Sequence, residues 1–134
     1  MRFLTWSAEP EQWQVQHKDD NSPLTAADWA SHHLIVEQLQ QLTPHIPVLS
    51  EESDEDPQRH TWPQLWLVDP LDGTKEFIAK NGEFCINIAL IHKHRPILGL
   101  IYAPFFDLLY YAVLNYGAYK IAKQTKAVQI RTRN

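Results

Sequence analysis

The chain has 134 residues, the size of one ordinary domain. Hydrophobic residues make up 44% and charged residues 21%, a globular balance that excludes collagen-like, disordered and coiled-coil chains. A net charge of −4 argues against binding DNA or RNA by charge, and a single cysteine, Cys85, excludes a disulfide framework or a cysteine-based zinc site within the chain.

In chain order, residues 1 to 11 show no period. Met1–Ser7 is broken by Arg2 and followed by Glu9 and Pro10, so no signal peptide is expected. No apolar run reaches the roughly 20 residues of a transmembrane segment, and the expectation is a soluble, cytoplasmic protein. Gln12–Gln16 alternates, with Trp13 and Val15 on one side, and reads as a short strand. Lys18–Pro23 is a turn. Thr25 is an N-cap with Asp28 three residues later, opening a helix that runs to about Leu42, with Trp29, Leu34, Ile35, Leu39 and Leu42 on one broad face. Pro44 and Pro47 stop it. Val48–Ser50 is a short strand delivering Glu51, and residues 53–63 form an acidic loop. Leu65–Asp69 is a buried strand, Pro70–Gly73 a turn, and Thr74–Lys80 a short helix closed by Asn81-Gly82.

Then the character turns to β. Phe84–His92, Ile97–Ala103, Leu108–Leu114, Ala118–Ile121 and Val128–Ile130 read as strands with short connections, which suggests an antiparallel meander. Helix and loops first, sheet afterwards, make α+β the expected class. His32-His33 and His92/His94 read as surface histidines, and Cys85 as a small buried hydrophobe.

The charge is uneven. Seven of the sixteen acids (Glu51, Glu52, Asp54, Glu55, Asp56, Asp69 and Asp72) fall in a 22-residue window with one base, Arg59. Asp54–Asp56 reads as a solvated loop. Asp69 and Asp72 differ, because they follow a buried strand in Asp69-Pro70-Leu71-Asp72-Gly73-Thr74. One reading is a turn in which Asp72 and Gly73 satisfy geometry. The other is a hard-cation site in which Asp69, Asp72, the Leu71 carbonyl and a third acid, Glu51, supply oxygens to Mg²⁺. The Gly73 and Thr74 amides at a helix start would then meet a phosphate, as in two-metal phosphate ester hydrolysis.

These residues resemble the inositol-monophosphatase-like superfamily of lithium-sensitive, magnesium-dependent phosphatases. The likeness is carried by Trp66 to Phe77 and Ser50-Glu51-Glu52, and continues in Ser22 to Asp28, Asn81 to Phe84, Ile88 to Ile91, Pro96 to Gly99 and Tyr102-Ala103-Pro104. Asp-Gly-Thr-Lys-Glu-Phe and the Asp20-Asn21-Ser22-Pro23 opening are most similar to the bacterial 3′(2′),5′-bisphosphate nucleotidase branch. The resemblance implies a fold in which a helix and a largely antiparallel sheet form the N-terminal part of a layered sugar-phosphatase-type sandwich. It implies that Glu51, Asp69, Asp72 and the Leu71 carbonyl bind two or more Mg²⁺ ions. Glu51, Leu71, Asp72, Gly73 and Thr74 would face the substrate. Thr74 with Glu51 would orient the attacking water, and Asp28 would assist with a further metal or as proton acceptor. The implied reaction converts adenosine 3′,5′-bisphosphate to AMP and phosphate, in sulfur assimilation, with inositol or sugar phosphates as rival substrates. A place at the inner membrane surface is the family's alternative to a free cytoplasmic one.

Family members run to roughly twice this length and carry a further metal-binding Asp in a Trp-Asp pair, which this chain lacks. Residues 1–134 are therefore expected to be a single partial domain without the C-terminal half, impaired or inactive alone. Two further readings stay open: a non-catalytic metal-binding piece, and an interaction domain that self-associates through an exposed sheet edge.

Overall fold

A seven-stranded sheet follows the chain almost without rearrangement, with one helix packed on it. The computed structural model describes residues 16–17, 23–24, 26–54, 56–123 and 125–132. β1 (Gln16–His17) pairs antiparallel with β2 (Pro23–Leu24) as a separate two-stranded ribbon. The strand expected at Gln12–Gln16 lies outside the described residues except for Gln16, and so does the Thr25 cap. Helix α1 (Ala26–Leu42) is followed by β3 (Val48–Ser50), a 3₁₀ turn over Pro57–Thr61, β4 (Gln64–Asp72) and the short α2 (Thr74–Ile78). β5 (Cys85–His92), β6 (Arg95–Ala103), β7 (Leu108–Val113), β8 (Gly117–Ala122) and β9 (Val128–Ile130) complete the sheet. The order is β3-β4-β5-β6-β7-β8-β9. Only β3 and β4 run parallel; every later pair is antiparallel, so the expected meander and the α+β class hold.

The β3–β4 register pairs Ser50 with Val68 and Leu49 with Leu67, which sets the two acid-bearing strand ends side by side. Side chains alternate across a strand. Val68 therefore points to one face, where it is 2% exposed, and Leu67 to the other, where it is 46% exposed. Cross-strand partners place Leu49, Leu67, Ala89, Gly99, Ala112, Ala118 and Ile130 in one row on the open face. Asp69, Asn87, Ile101, Tyr110, Lys120 and Val128 form the next row.

α1 covers the face of Val68, but not with the apolar stripe expected from its sequence. Trp29, Leu34 and Leu42 are exposed, and the buried positions are Asp28, Ser31, His32 and Leu39. Positions 28, 31, 32 and 39 still recur with helical spacing, so the periodicity is right and the chemistry is polar. His32, expected on the surface, is buried; His33, His92 and His94 are exposed. The far end of α1 is tied to β4 by Trp66, whose Nε1 donates to Thr43 Oγ1 at 2.9 Å. No helix among the described residues is long and apolar enough to cross a membrane.

Candidate metal centre

The acid site forms where β3 ends beside β4. The Glu51 N–H donates to the Val68 carbonyl at 2.9 Å, extending the parallel pairing by one residue and setting Glu51 next to Asp69. Asp69 is half-buried, and its carboxyl is pushed up to about 6 from an ordinary 3.8. Burial is the main cause. The charge of Glu51 comes next, opposed by a hydrogen bond from the Leu71 N–H, and Asp72 adds a further like charge. That Leu71 N–H donates to Asp69 Oδ1 at 3.2 Å.

Asp72 reaches the same side of the sheet through an irregularity. Two residues three apart on a regular strand point to opposite faces. Here Asp69 pairs with Asn87 and Asp72 with Cys85, so three steps on β4 match two on β5. The extra residue is a β-bulge, a feature that re-aims side chains beside functional sites. It brings Asp72 round to the face of Asp69. The expected turn at Pro70–Gly73 is thus corrected: β4 continues through Pro70 and Leu71 to Asp72, and only Gly73 leaves it.

Asn87 is a site residue that sequence reasoning missed. Its Nδ2 donates to Asp72 Oδ2 at 3.0 Å while its backbone pairs with Asp69. The one available signal was a lone carboxamide within an otherwise apolar strand. Cys85 is half-buried rather than a fully buried hydrophobe. Its Sγ lies 3.8 Å from Asp72 Oδ2 and 3.6 Å from Asn87 Oδ1, and burial, then the charge of Asp72, push its thiol up.

Gly73 starts α2 with φ +91°, a left-handed conformation that L side chains rarely adopt. A Cβ there would sit 2.9 Å from the Glu83 carbonyl oxygen. Gly73→Ala is therefore expected to cost about 1–3 kcal/mol through strain and collision, read as a lower urea midpoint at unchanged slope; an unchanged midpoint would refute it. Thr74 Oγ1 donates to the Leu71 carbonyl at 3.3 Å. Asp28 lies apart from this cluster in sequence, buried on the first turn of α1 at 2% exposure.

The expected ligands divide accordingly. Glu51 and Asp69 adjoin, Asp72 is carried to their side of the sheet, and the Leu71 carbonyl lies between the two aspartates in the chain. Among the described residues, no group of three Asp, Glu, His or Cys side chains is gathered closely enough to hold a metal ion as it stands. In kind, the donors fit a hard cation. All are oxygens, and the like charge of Glu51 and Asp72 that adds to burial in raising Asp69 is relieved by positive charge.

A sequence profile of the inositol monophosphatase family matches residues 4–133. The chain is 52% identical over 122 residues to the 3′(2′),5′-bisphosphate nucleotidase CysQ of Salmonella typhimurium, covering 88% of this chain and 48% of that protein. It is 50% identical over 121 residues to the protein of the same name from Escherichia coli K12, covering 87% and 48%. Among solved structures, CysQ from Bacteroides thetaiotaomicron superposes with a TM-score of 0.69 at 47% identity, over 87% of this chain and 42% of that one. The extragenic suppressor protein SuhB from Bartonella henselae superposes with a TM-score of 0.77 at 28% identity, over 92% and 46%. The chain spans about half the length of the curated relatives it matches.

Proposed function

The chain belongs to the inositol monophosphatase family, and from that premise we propose that it supplies the carboxylate site of a Mg²⁺-dependent phosphate monoester hydrolase acting on 3′(2′),5′-bisphosphate nucleotides. The observation that carries the reading is the pairing of Glu51 with Asp69 at adjacent strand ends, where burial first and then the charge of Glu51 push the Asp69 carboxyl up to about 6. The name shared by the relatives at about 50% identity supports the substrate class.

Glu51, Asp69, Asp72 and the Leu71 carbonyl would hold the ions. When bound, Mg²⁺ supplies Lewis acidity, polarising a phosphate oxygen and making water a better nucleophile at neutral pH. The protein's own groups do the rest. Glu51, exposed at the strand end, can accept a proton from water. The Thr74 hydroxyl, already hydrogen-bonded to the Leu71 carbonyl, orients that water from the other side. The amides of Gly73 and Thr74 belong to the first turn of α2, where N–H groups lack intrahelical acceptors, and they would meet phosphate oxygens. Asp28, at the buried start of α1, would assist with a further metal or as proton acceptor.

The test is phosphate release from adenosine 3′,5′-bisphosphate, inositol 1-phosphate and fructose 1,6-bisphosphate, with and without Mg²⁺, in wild type and Glu51→Gln. Weak release at most from these 134 residues, confined to the nucleotide, dependent on Mg²⁺ and lost in Glu51→Gln, is the expected pattern. Preference for either sugar phosphate would overturn the substrate class. Stabilisation by Mg²⁺ without turnover would limit these 134 residues to the metal-binding part. No response to Mg²⁺ at all would remove the reading.

A further inference from the structure

Two adjacent side chains of α1 reach the two acid-bearing strands separately. Ser31 Oγ donates to the Pro70 carbonyl at 2.7 Å. His32 Nδ1 and Ser50 Oγ share a hydrogen bond at 2.8 Å. Ser31, His32, Ser50 and Pro70 are all buried. Pro70 is the residue after Asp69, inside the bulge that re-aims Asp72. Ser50 is the residue before Glu51. It also pivots the turn beyond: its N–H donates to Ser53 Oγ at 3.3 Å, and its carbonyl accepts from the Ser53 N–H at 3.0 Å. One prong thus grips the backbone next to Asp69 and the other the side chain of the residue next to Glu51, and neither grips the acid itself.

The arrangement is unusual for a helix on a sheet. That contact is ordinarily apolar, and burying polar groups costs free energy unless each finds a partner. Here each does, and the partners lie on neighbouring strands roughly 4.8 Å apart, a span matched by consecutive residues of one helix.

We propose that Ser31 and His32 act as a two-pronged positioning clamp that fixes the Glu51 strand end and the Asp69–Asp72 bulge relative to one another. Neither residue touches substrate or ion; they act through Ser50 and Pro70. The consequence for metal affinity rests on the Mg²⁺ reading above; the consequence for the backbone does not.

The test uses the 134-residue chain with Mn²⁺ as a spectroscopically visible probe, in Ser31→Ala, His32→Phe and His32→Asn. Free Mn²⁺ is followed by electron paramagnetic resonance, and the thermal midpoint is measured without metal. Hydrogen exchange is read at the Glu51 and Leu71 amides, which report the two acids. Ser31→Ala and His32→Phe are each expected to weaken Mn²⁺ binding about tenfold or more, the range for residues that orient metal ligands. Exchange should quicken at Leu71 in the first and at Glu51 in the second. His32→Asn places a polar atom where Nδ1 stood and should keep affinity within about threefold. Unchanged affinity and exchange in Ser31→Ala and His32→Phe overturn the clamp. So does a loss that runs through all three variants in step with the thermal midpoint, since that marks a merely structural role. A wild-type chain that binds no Mn²⁺ overturns the metal reading instead. The clamp is then decided by exchange alone: faster at those two amides supports it, unchanged removes it.

Discussion

Asp69→Asn will make the metal-free chain more stable at neutral pH and abolish its response to Mg²⁺. The sign follows from the direction of the shift. The folded carboxyl titrates at about 6 and the ordinary one at 3.8, so the unfolded chain releases its proton first as pH rises. Stability is full below about 4 and is lost progressively as pH climbs through about 6. Taken whole, the shift corresponds to about 3 kcal/mol. Asp69 is only half-buried, so solvent screening reduces this to about 1–2 kcal/mol. The neutral amide removes that penalty and, with it, a ligand. At pH 7.5 without metal the variant should melt about 3–8 °C above wild type, and at pH 4 the two should coincide. Wild type should gain stability from Mg²⁺ by mass action, and the variant should not. A variant that melts below wild type at pH 7.5, or that keeps the Mg²⁺ shift, would show that Glu51 and Asp69 are not opposed.

Phe84→Ala should be the most damaging single truncation near the site. Phe84 is buried, with its ring 5.0 Å from Phe77 in an edge-to-face contact at 88°. It joins the start of β5 to α2, and its Cα is 3.3 Å from where a Gly73 Cβ would lie. Removing a buried phenyl ring costs about 3–5 kcal/mol, which lowers the thermal midpoint of a chain this size by about 10–20 °C. Phe84→Leu keeps most of the volume and should cost about 1–1.5 kcal/mol. Thermal unfolding of both variants checks this; equal losses would mean that the ring contact, not filled volume, holds α2 against the sheet.

Much of this is legible in the sequence. α1 ends at Leu42 as read, because Pro44 and Pro47 cannot continue it. β3 and β9 fall where the branched residues do. Glu51 and Asp69 could be paired on paper, since each follows a short apolar strand. What the sequence hid was of three kinds. The inward face of α1 is polar, and polar burial is invisible until the partners, Ser50 and Pro70, are in place from 18 and 39 residues away. The continuation of β4 through Pro70 looked like a turn, because Pro and Gly flanking an Asp is turn chemistry wherever no neighbouring strand is known. Asn87 entered the site through cross-strand register, which one strand alone does not carry.

The bulge has a consequence for which kinds of mutation this site tolerates. The aim of Asp72 is set by one surplus residue between Asp69 and Asp72, counted against β5. It is written in the number of residues, not in their identity. A substitution at Asp69 or Asp72 deletes a carboxylate and leaves its neighbour aimed correctly. Loss of a single residue between them would restore the regular alternation and leave the two carboxylates two apart, still on one face, but it would remove either the Pro70 carbonyl that Ser31 holds or the Leu71 carbonyl and N–H that meet Thr74 and Asp69. The surplus residue gives the strand room to carry those backbone groups between two acids that share a face.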